Sequence, residues 1–393
     1  MNHRERFLEL QSVLLGHQAL WRPSPFHVRE PDWCDHWPAL ADAVQALDAG
    51  TLEELSDDPA ASLAWLAPRL PIAHALQHLC DVPHLAPRAL PACDAHFDWS
   101  IPGRKREQIE TFAARGPVAR APLLEWCAGK GHLGRRLALA DHVAVRSLEL
   151  DPALCEAGTR LAARAGVAQT VLCGDALAGS AHAHVRGHAV LALHACGELH
   201  RTLVRAAAQD AAHSYRIAPC CYHRGAGDGY RPLSRDAALP LDAGALRLAV
   251  TETVTAPRHA RQRLARDQAW KLGFIALRDA LEGEAIRPFR PVPSRWLAGD
   301  FAAYARALAQ REGVRLPQAV DWAHWRAVGE RRRAQVRRFE LVRHAFRRAL
   351  ETWLVMDLAL GLEEAGFEVQ VGTFCPRSLT PRNLVVLAQR SHD

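Results

Sequence analysis

Glu125, Gly129, Gly131 and Gly134 are spaced so that a short apolar run, Leu123-Leu124-Glu125-Trp126, would end in a G-x-G-x-x-G turn and reopen as a helix at Arg135. Glycine suits such a turn because the backbone must reverse sharply, come close to a ligand and let the helix pack on the strand. The loop reads as a cradle for a nucleotide-type cofactor, with a plain strand-to-helix turn as the alternative. Glu149 follows Gly129 by 20 residues and closes the apolar run Val143 to Leu150, where a carboxylate can accept hydrogen bonds from both hydroxyls of a ribose. Asp151 is the second carboxylate there. Gly174-Asp175-Ala176 follows the run Thr170 to Cys173, and Asp175 can accept from an adenine amino group. The cofactor candidates are therefore Glu125, Cys127, Gly129, Gly131, Glu149, Asp175 and Ala176.

A second group of reactive side chains follows two further apolar runs. Ala189 to Leu193 leads into His194-Ala195-Cys196-Gly197-Glu198, and Tyr215 to Ala218 leads into Pro219-Cys220-Cys221-Tyr222-His223. A neutral imidazole at His194 could accept a proton from an attacking hydroxyl or amine, or it could be a hydrogen-bonded structural histidine. Cys196, Cys220, Cys221 and His223 could converge at adjacent strand ends, yet no metal-ligand spacing is met and neighbouring cysteines rarely chelate one ion together. No metal is assigned, and the thiols read as small apolar pocket walls. Cys196, Cys220, Cys221 and Tyr222 are candidates to face the substrate, with Lys105 of the basic cluster Gly103-Arg104-Lys105-Arg106. Such a cluster before a helix is usually a solvated end, and contact with a carboxylate or phosphate is the other reading.

These positions need strands alternating with helices, the pattern of a doubly wound parallel sheet. Leu154 to Ala163 is the helix after the second strand. The expected fold is α/β, a Rossmann-like sheet with helices on both faces, joined to a helical N-terminal unit and a helical basic insertion. The boundaries expected are 1–100 for the N-terminal unit, 101–283 with 361–393 for the sheet domain, and 284–360 for the insertion. Phe7, Leu8, Leu10, Val13, Leu14 and Leu15 form a helical stripe, repeated near Pro38 to Leu47, Leu52 to Leu55 and Ala60 to Leu66. Trp21, Trp33, Trp37 and Trp65 read as packing residues, with base stacking as the alternative. Gly225 to Gly229 could be a mobile lid or a plain connector. Leu246 to Val254 is strand or helix, and Pro257 to Leu281 a long helix.

Both a dinucleotide and S-adenosylmethionine could use such a glycine loop, and the later strand ends distinguish them. The combination E-x-C-A-G-K-G-H-L-G, L-H-A-C-G-E-L and P-C-C-Y resembles a subfamily of class I S-adenosylmethionine-dependent methyltransferases. That subfamily includes the methyltransferase-like domain of the glutathione-S-transferase C-terminal-domain-containing protein and is more distantly related to the eukaryotic tRNA ribose 2′-O-methyltransferase of the acceptor stem. The resemblance covers about 101–283 and 361–393, where Ala365 to Val371 and Ser378-Leu379-Thr380-Pro381-Arg382-Asn383 are similar to the last strands and their turn. It implies S-adenosyl-L-methionine as cofactor, held by Glu125, Gly129, Gly131, Glu149 and Asp175, with His194 facing the transferring methyl. The chain departs from the tRNA enzymes at Glu198-Leu199-His200-Arg201-Thr202, so their substrate is not carried over.

The partner is read from charge. The 393 residues carry a formal net charge of +6, a hint of an anionic partner, and the 23% of charged residues argues against disorder. Arg331-Arg332-Arg333, Arg337, Arg338, Arg343, Arg347 and Arg348 alternate with Val336, Phe339, Val342, Phe346, Leu350 and Trp353 at helical spacing. RNA phosphate contact by Arg337 and Arg338 is one reading of this helix, and a solvated cationic face is the other. Ten scattered cysteines without a C-x-x-C pair fit a reducing cytoplasm, and neither a signal peptide nor a membrane span is expected. The sequence reading is thus a cytoplasmic methyltransferase acting on structured RNA at a ribose hydroxyl or base, with no obligatory protein partner inferred. The alternatives are a protein or small-molecule methyltransferase, a non-catalytic RNA-binding protein, and a dinucleotide oxidoreductase.

Overall fold

The structure, a computed structural model, describes residues 1–93, 97, 101–252, 258–283 and 289–390. Val254, Pro257 and the first residues of the expected insertion, 284–288, lie outside the described residues. The strands are β1 (Leu123–Trp126), β2 (Val145–Glu149), β3 (Gln169–Cys173), β4 (Ala189–Cys196), β5 (Ser214–Cys220), β6 (Phe367–Thr373) and β7 (Leu384–Arg390). They form one sheet in the order β3-β2-β1-β4-β5-β7-β6, with β7 antiparallel to both of its neighbours and helices on both faces. This is the expected Rossmann-like class I methyltransferase fold. Strand order reverses between β1 and β4, the point at which open α/β sheets form a crevice outside the carboxyl ends of their strands. Every residue of β1 is buried, because helices cover the parallel strands on either side.

The loop after β1 is set from beneath. Gly131 enters the helix His132–Asp141 at φ +66°. Glu125 is 4% exposed and accepts a hydrogen bond from Ser147 Oγ at 2.8 Å. Gln169 Nε2 donates to that same Oγ at 2.9 Å and to the Gly131 carbonyl at 2.8 Å. This chain of bonds joins β1, β2 and β3 to the turn. Burial pushes the Glu125 carboxyl up to about 7, against the pull of Ser147, the Gly134 amide and the Arg135 and Lys105 cations.

The chain folds into two compact units, each built from separated segments. The first comprises Met1–Leu15, His78–Thr255 and Arg347–Asp393, and the second Gly16–Gln77 and Ala256–Phe346. These boundaries differ from the expected three-part division. The reason is where apolar surface finds cover. The helix Arg347–Glu364 is buried nearly all round and packs on β6 and β7, so it belongs to the sheet and not to an insertion. Phe7 of the first helix, His3–Gly16, stacks on Trp353 with ring centroids 5.0 Å apart, which ties residues 1–15 to the same unit. Asp357, fully buried in that helix, accepts from Tyr230 Oη at 2.6 Å and from the Leu233 and Ser234 amides at 2.9 Å.

In the second unit the helices Arg258–Glu282 and Trp322–His344 pack closely because Gly329 meets Gly273: a Cβ on Gly329 would lie 2.2 Å from the Ala269 carbonyl. Trp33 packs edge-on against Phe339 at 5.7 Å, and Trp21 and Trp33 are both buried, as packing residues. The expected single arginine helix is broken after His344, and its two halves serve different units.

Two stability measurements check this account. Asp357→Ala leaves three donors, one buried and two half-buried, without an acceptor and should lower the unfolding free energy of the sheet unit by about 3 kcal/mol in urea denaturation. Glu125, whose folded value lies above its unfolded one, binds more protons folded than unfolded between about pH 4.5 and 7. Its contribution is therefore present at low pH and is lost as pH rises through that window, by an amount of order 3 kcal/mol. Glu125→Gln should flatten that part of the stability profile and be the more stable form at pH 8.

Candidate active site at the strand ends

The carboxyl ends of β1, β2 and β3 bring one set of predicted residues together. Cys127 and Gly129 have φ of +57° and +59°, so the chain reverses at once after β1. Among the described residues, a Cβ on Gly129 would meet no atom within 4 Å beyond its chain neighbours, so these leave the loop open on that side. Glu149, at the end of β2, accepts from the Gly129 amide through Oε2 at 2.8 Å and from the Asp151 amide through Oε1 at 3.0 Å. Each carboxylate oxygen keeps further acceptor capacity for a ligand hydroxyl. Asp175, just beyond β3, is exposed, with Oδ1 bonded to the Leu177 amide at 2.8 Å, and Ala176 beside it is buried. Burial pushes the Cys127 thiol up to about 12, helped by Glu149, Cys196 and Asp175 around it.

Two cofactor candidates have other places. The Glu125 carboxylate is turned into the interior, where it holds the loop through Ser147 and does not line the rim. Gly131 faces the same way: a Cβ there would come 2.5 Å from Gln169 Nε2, so its want of a side chain serves close packing on β3. A four-residue buried strand carries no alternation from which the facing of Glu125 could be read.

The ends of β4 and β5 hold the second set. His194 has φ +60° and lies where the β4–β5 register shifts between Leu193 and Cys196. Its Nε2 lies 3.2 Å from Gln108 Oε1, while Gln108 Nε2 donates to the Leu379 carbonyl at 3.3 Å. With the amide so oriented, its oxygen accepts from His194 Nε2–H and leaves Nδ1 as the ring's acceptor. Burial pushes the imidazole down to about 4, with the Arg382 and Lys105 cations acting in the same direction against Cys221, so the ring is neutral at pH 7. Lys105 is exposed, at the start of the helix Gly103–Ala113 that also carries Gln108. Gln108 carries no motif, and nothing in the turn Ser378 to Asn383 places its Arg382 near His194; only folding shows where the two lie.

Cys196, Cys220 and Cys221 converge as their positions suggested, with all three sulfur atoms within 4.8 Å of one another. Cys196 Sγ lies 3.3 Å from Cys220 Sγ. Hydrogen bonds from Cys196 and Cys220, with Arg382 and Arg224 nearby, hold the Cys221 thiol well below its usual range, and Cys220 is pushed up by the same bonds. His223 stays outside the group, its Nδ1 buried without a hydrogen-bond partner. Tyr222 does not face a substrate: it is 1% exposed and packs edge-on against His200 at 5.9 Å.

The arginine helix Trp322–His344 belongs to the second unit, and several of its guanidinium groups are bonded within that unit. Arg338 donates to the Leu47 carbonyl through Nε at 2.9 Å and Nη2 at 2.7 Å. Arg343 Nε donates to the Trp21 carbonyl at 3.0 Å, and Arg332 to those of Pro25 and Val28. Arg337 lies 3.7 Å from Glu53. Arg332, Arg338 and Arg343 thus satisfy carbonyls at the ends of N-terminal helices or in the loops after them, groups that have no partner within a helix. Arg338, expected to meet phosphate, has its Nε and Nη2 donors on a backbone carbonyl. Among the described residues, no helix is long and apolar enough to cross a membrane.

No curated protein matches the sequence. Among solved structures, the chain is similar to an O-methyltransferase family protein from Burkholderia thailandensis, with 11% identity over 85% of this chain and 71% of that one and a TM-score of 0.31. Residues 105–227, which run from Lys105 through β1 to β5 and hold every strand-end residue described above except Arg382, match the family model of a methyltransferase domain.

Proposed function

We propose that this chain is an S-adenosylmethionine-dependent methyltransferase whose cofactor lies across the carboxyl ends of β1, β2 and β3. The observation that carries the reading is the Glu149 carboxylate bonded to the Gly129 amide, beside the open face of that glycine. Glu149 would hold the ribose hydroxyls, Asp175 with Ala176 the adenine, and the space before Gly129 the methionine part; Cys127 lines the turn between them. Bound there, S-adenosylmethionine supplies a methyl group already activated on sulfur. The protein's remaining task is alignment, which is worth more to such a transfer than strong acid or base help. His194 serves it by accepting a hydrogen bond from the acceptor through Nδ1, with Gln108 fixing the ring.

For the acceptor we propose structured RNA. The support is the net charge of +6 and the exposed Lys105, which acts on His194 from the end of its helix. The arginine helix gives no support, since Arg338 and Arg343 cap carbonyls of their own unit.

Calorimetry should find S-adenosylmethionine binding in preference to NAD, and Glu149→Ala should weaken it about 10- to 100-fold, the cost of losing hydrogen bonds to a charged group. Tight NAD binding without S-adenosylmethionine binding would contradict the assignment. On the acceptor side, Lys105→Glu should weaken RNA binding, whereas Arg338→Ala should leave RNA affinity unchanged and cost about 1–2 kcal/mol of stability. Mass spectrometry of RNA nucleosides from a deletion strain and its parent should show one missing methyl mark. A full set of marks would move the acceptor to protein or a small molecule.

A further inference from the structure

Cys220 and Cys221 are neighbours in sequence, so in a continuous strand their side chains would point to opposite faces of the sheet. They do not. Cys220 ends β5 in register with Cys196 of the parallel strand β4, which places those two thiols on one side. Cys221 then turns to φ +45°, and its sulfur joins theirs. On β4 the matching irregularity is His194 at φ +60°, within the register shift just before Cys196. Two adjacent strands thus each place a non-glycine residue in the left-handed region, and the outcome is three sulfur atoms gathered at one point. Backbone conformations of this kind are sparsely populated and cluster at functional sites.

We propose that Cys196, Cys220 and Cys221 bind a single thiophilic cation, Zn2+, with its fourth position left open beside His194. The geometry suits the ion. A tetrahedral zinc with Zn–S bonds of about 2.3 Å sets its sulfurs about 3.8 Å apart. The observed spacing brackets that value, between 3.3 Å for Cys196 to Cys220 and the 4.8 Å limit for all pairs. The donor set suits it as well: three free thiols select a thiophilic ion over Mg2+ or Ca2+. Three thiolates around one divalent cation leave one negative charge, and Arg382 and Arg224 are both close enough to act on Cys221.

The ligand count gives the site its character. Structural zinc sites are closed by four protein ligands, whereas sites that meet a substrate keep one position free. Among the described residues no further His, Cys, Asp or Glu joins the three, so the count is that of an open site. Cys196 Sγ lies 3.4 Å from the His194 carbonyl oxygen, which sets the ion beside the residue assigned to the acceptor. That the open position meets the methyl acceptor rests on the methyltransferase reading; that the thiols bind the ion does not.

The test needs no cofactor or acceptor. The full-length chain, stripped of metal and kept reduced with a phosphine, is titrated with Co2+ as a spectroscopic stand-in and then with Zn2+. One equivalent of Co2+ should produce a sulfur-to-metal charge-transfer band in the near ultraviolet, and Zn2+ should abolish it. Cys220→Ser and Cys221→Ser should each lose the band. Because those variants could misfold, the unmodified chain is also alkylated with iodoacetamide with and without Zn2+. Mass spectrometry should then show Zn2+ shielding Cys196, Cys220 and Cys221 but not the exposed Cys173. No band at one equivalent, a band that survives both substitutions, or thiols that Zn2+ does not shield would each overturn the proposal. Loss of S-adenosylmethionine binding in calorimetry would overturn the functional reading and leave this result standing.

Discussion

A buried carboxylate beneath a glycine turn is the interaction on which the rest of the site depends. Glu125 is out of water on β1, and it can stay there because Ser147 from β2 donates to it and Gln169 from β3 braces Ser147. The same Gln169 holds the Gly131 carbonyl, so three strands and the start of the next helix are fixed to one another by side-chain bonds. Glu149 can then meet the Gly129 amide at 2.8 Å, and the open face of Gly129 lies beside a carboxylate that retains acceptor capacity. Desolvating Glu125 costs stability near neutral pH, and the cost stands against a loop of defined shape.

The crevice follows from topology. Where strand order reverses between β1 and β4, open α/β sheets offer a ligand position outside the carboxyl ends of the strands, here flanked by the rim from β1 to β3 on one side and the ends of β4 and β5 on the other. His194 and Cys221, both in left-handed conformations, are what turn the second half of that rim into a cluster. The helix Arg347–Glu364 fixes the segment that follows them through a buried Asp357, which collects three donors from residues 230–234.

Much of this was legible in the amino-acid order. Parallel strands buried on both faces read as apolar runs, so β1 to β5 could be placed to within a few residues, and the spacing from Gly129 to Glu149 located the rim. What could not be read depends on direction and on partners distant in sequence. Nothing in Leu123-Leu124-Glu125-Trp126 says which way Glu125 faces, since all four residues are buried. The three thiols follow no ligand spacing because one comes from the neighbouring strand and another from a reversed φ. Arginines at helical spacing look alike whether they await phosphate or cap carbonyls, and only the fold shows Arg338 on Leu47, 291 residues away. The unit boundaries were hidden for the same reason, since each unit is assembled from separated segments.

If the β1–β3 rim holds an adenosyl cofactor, a crystal structure determined with S-adenosylhomocysteine should show ribose hydroxyls on the Glu149 carboxylate, adenine beside Asp175 and the amino-acid portion against the open face of Gly129. A ligand bound elsewhere on the chain, or a rim that stays empty at saturating concentration, would contradict it.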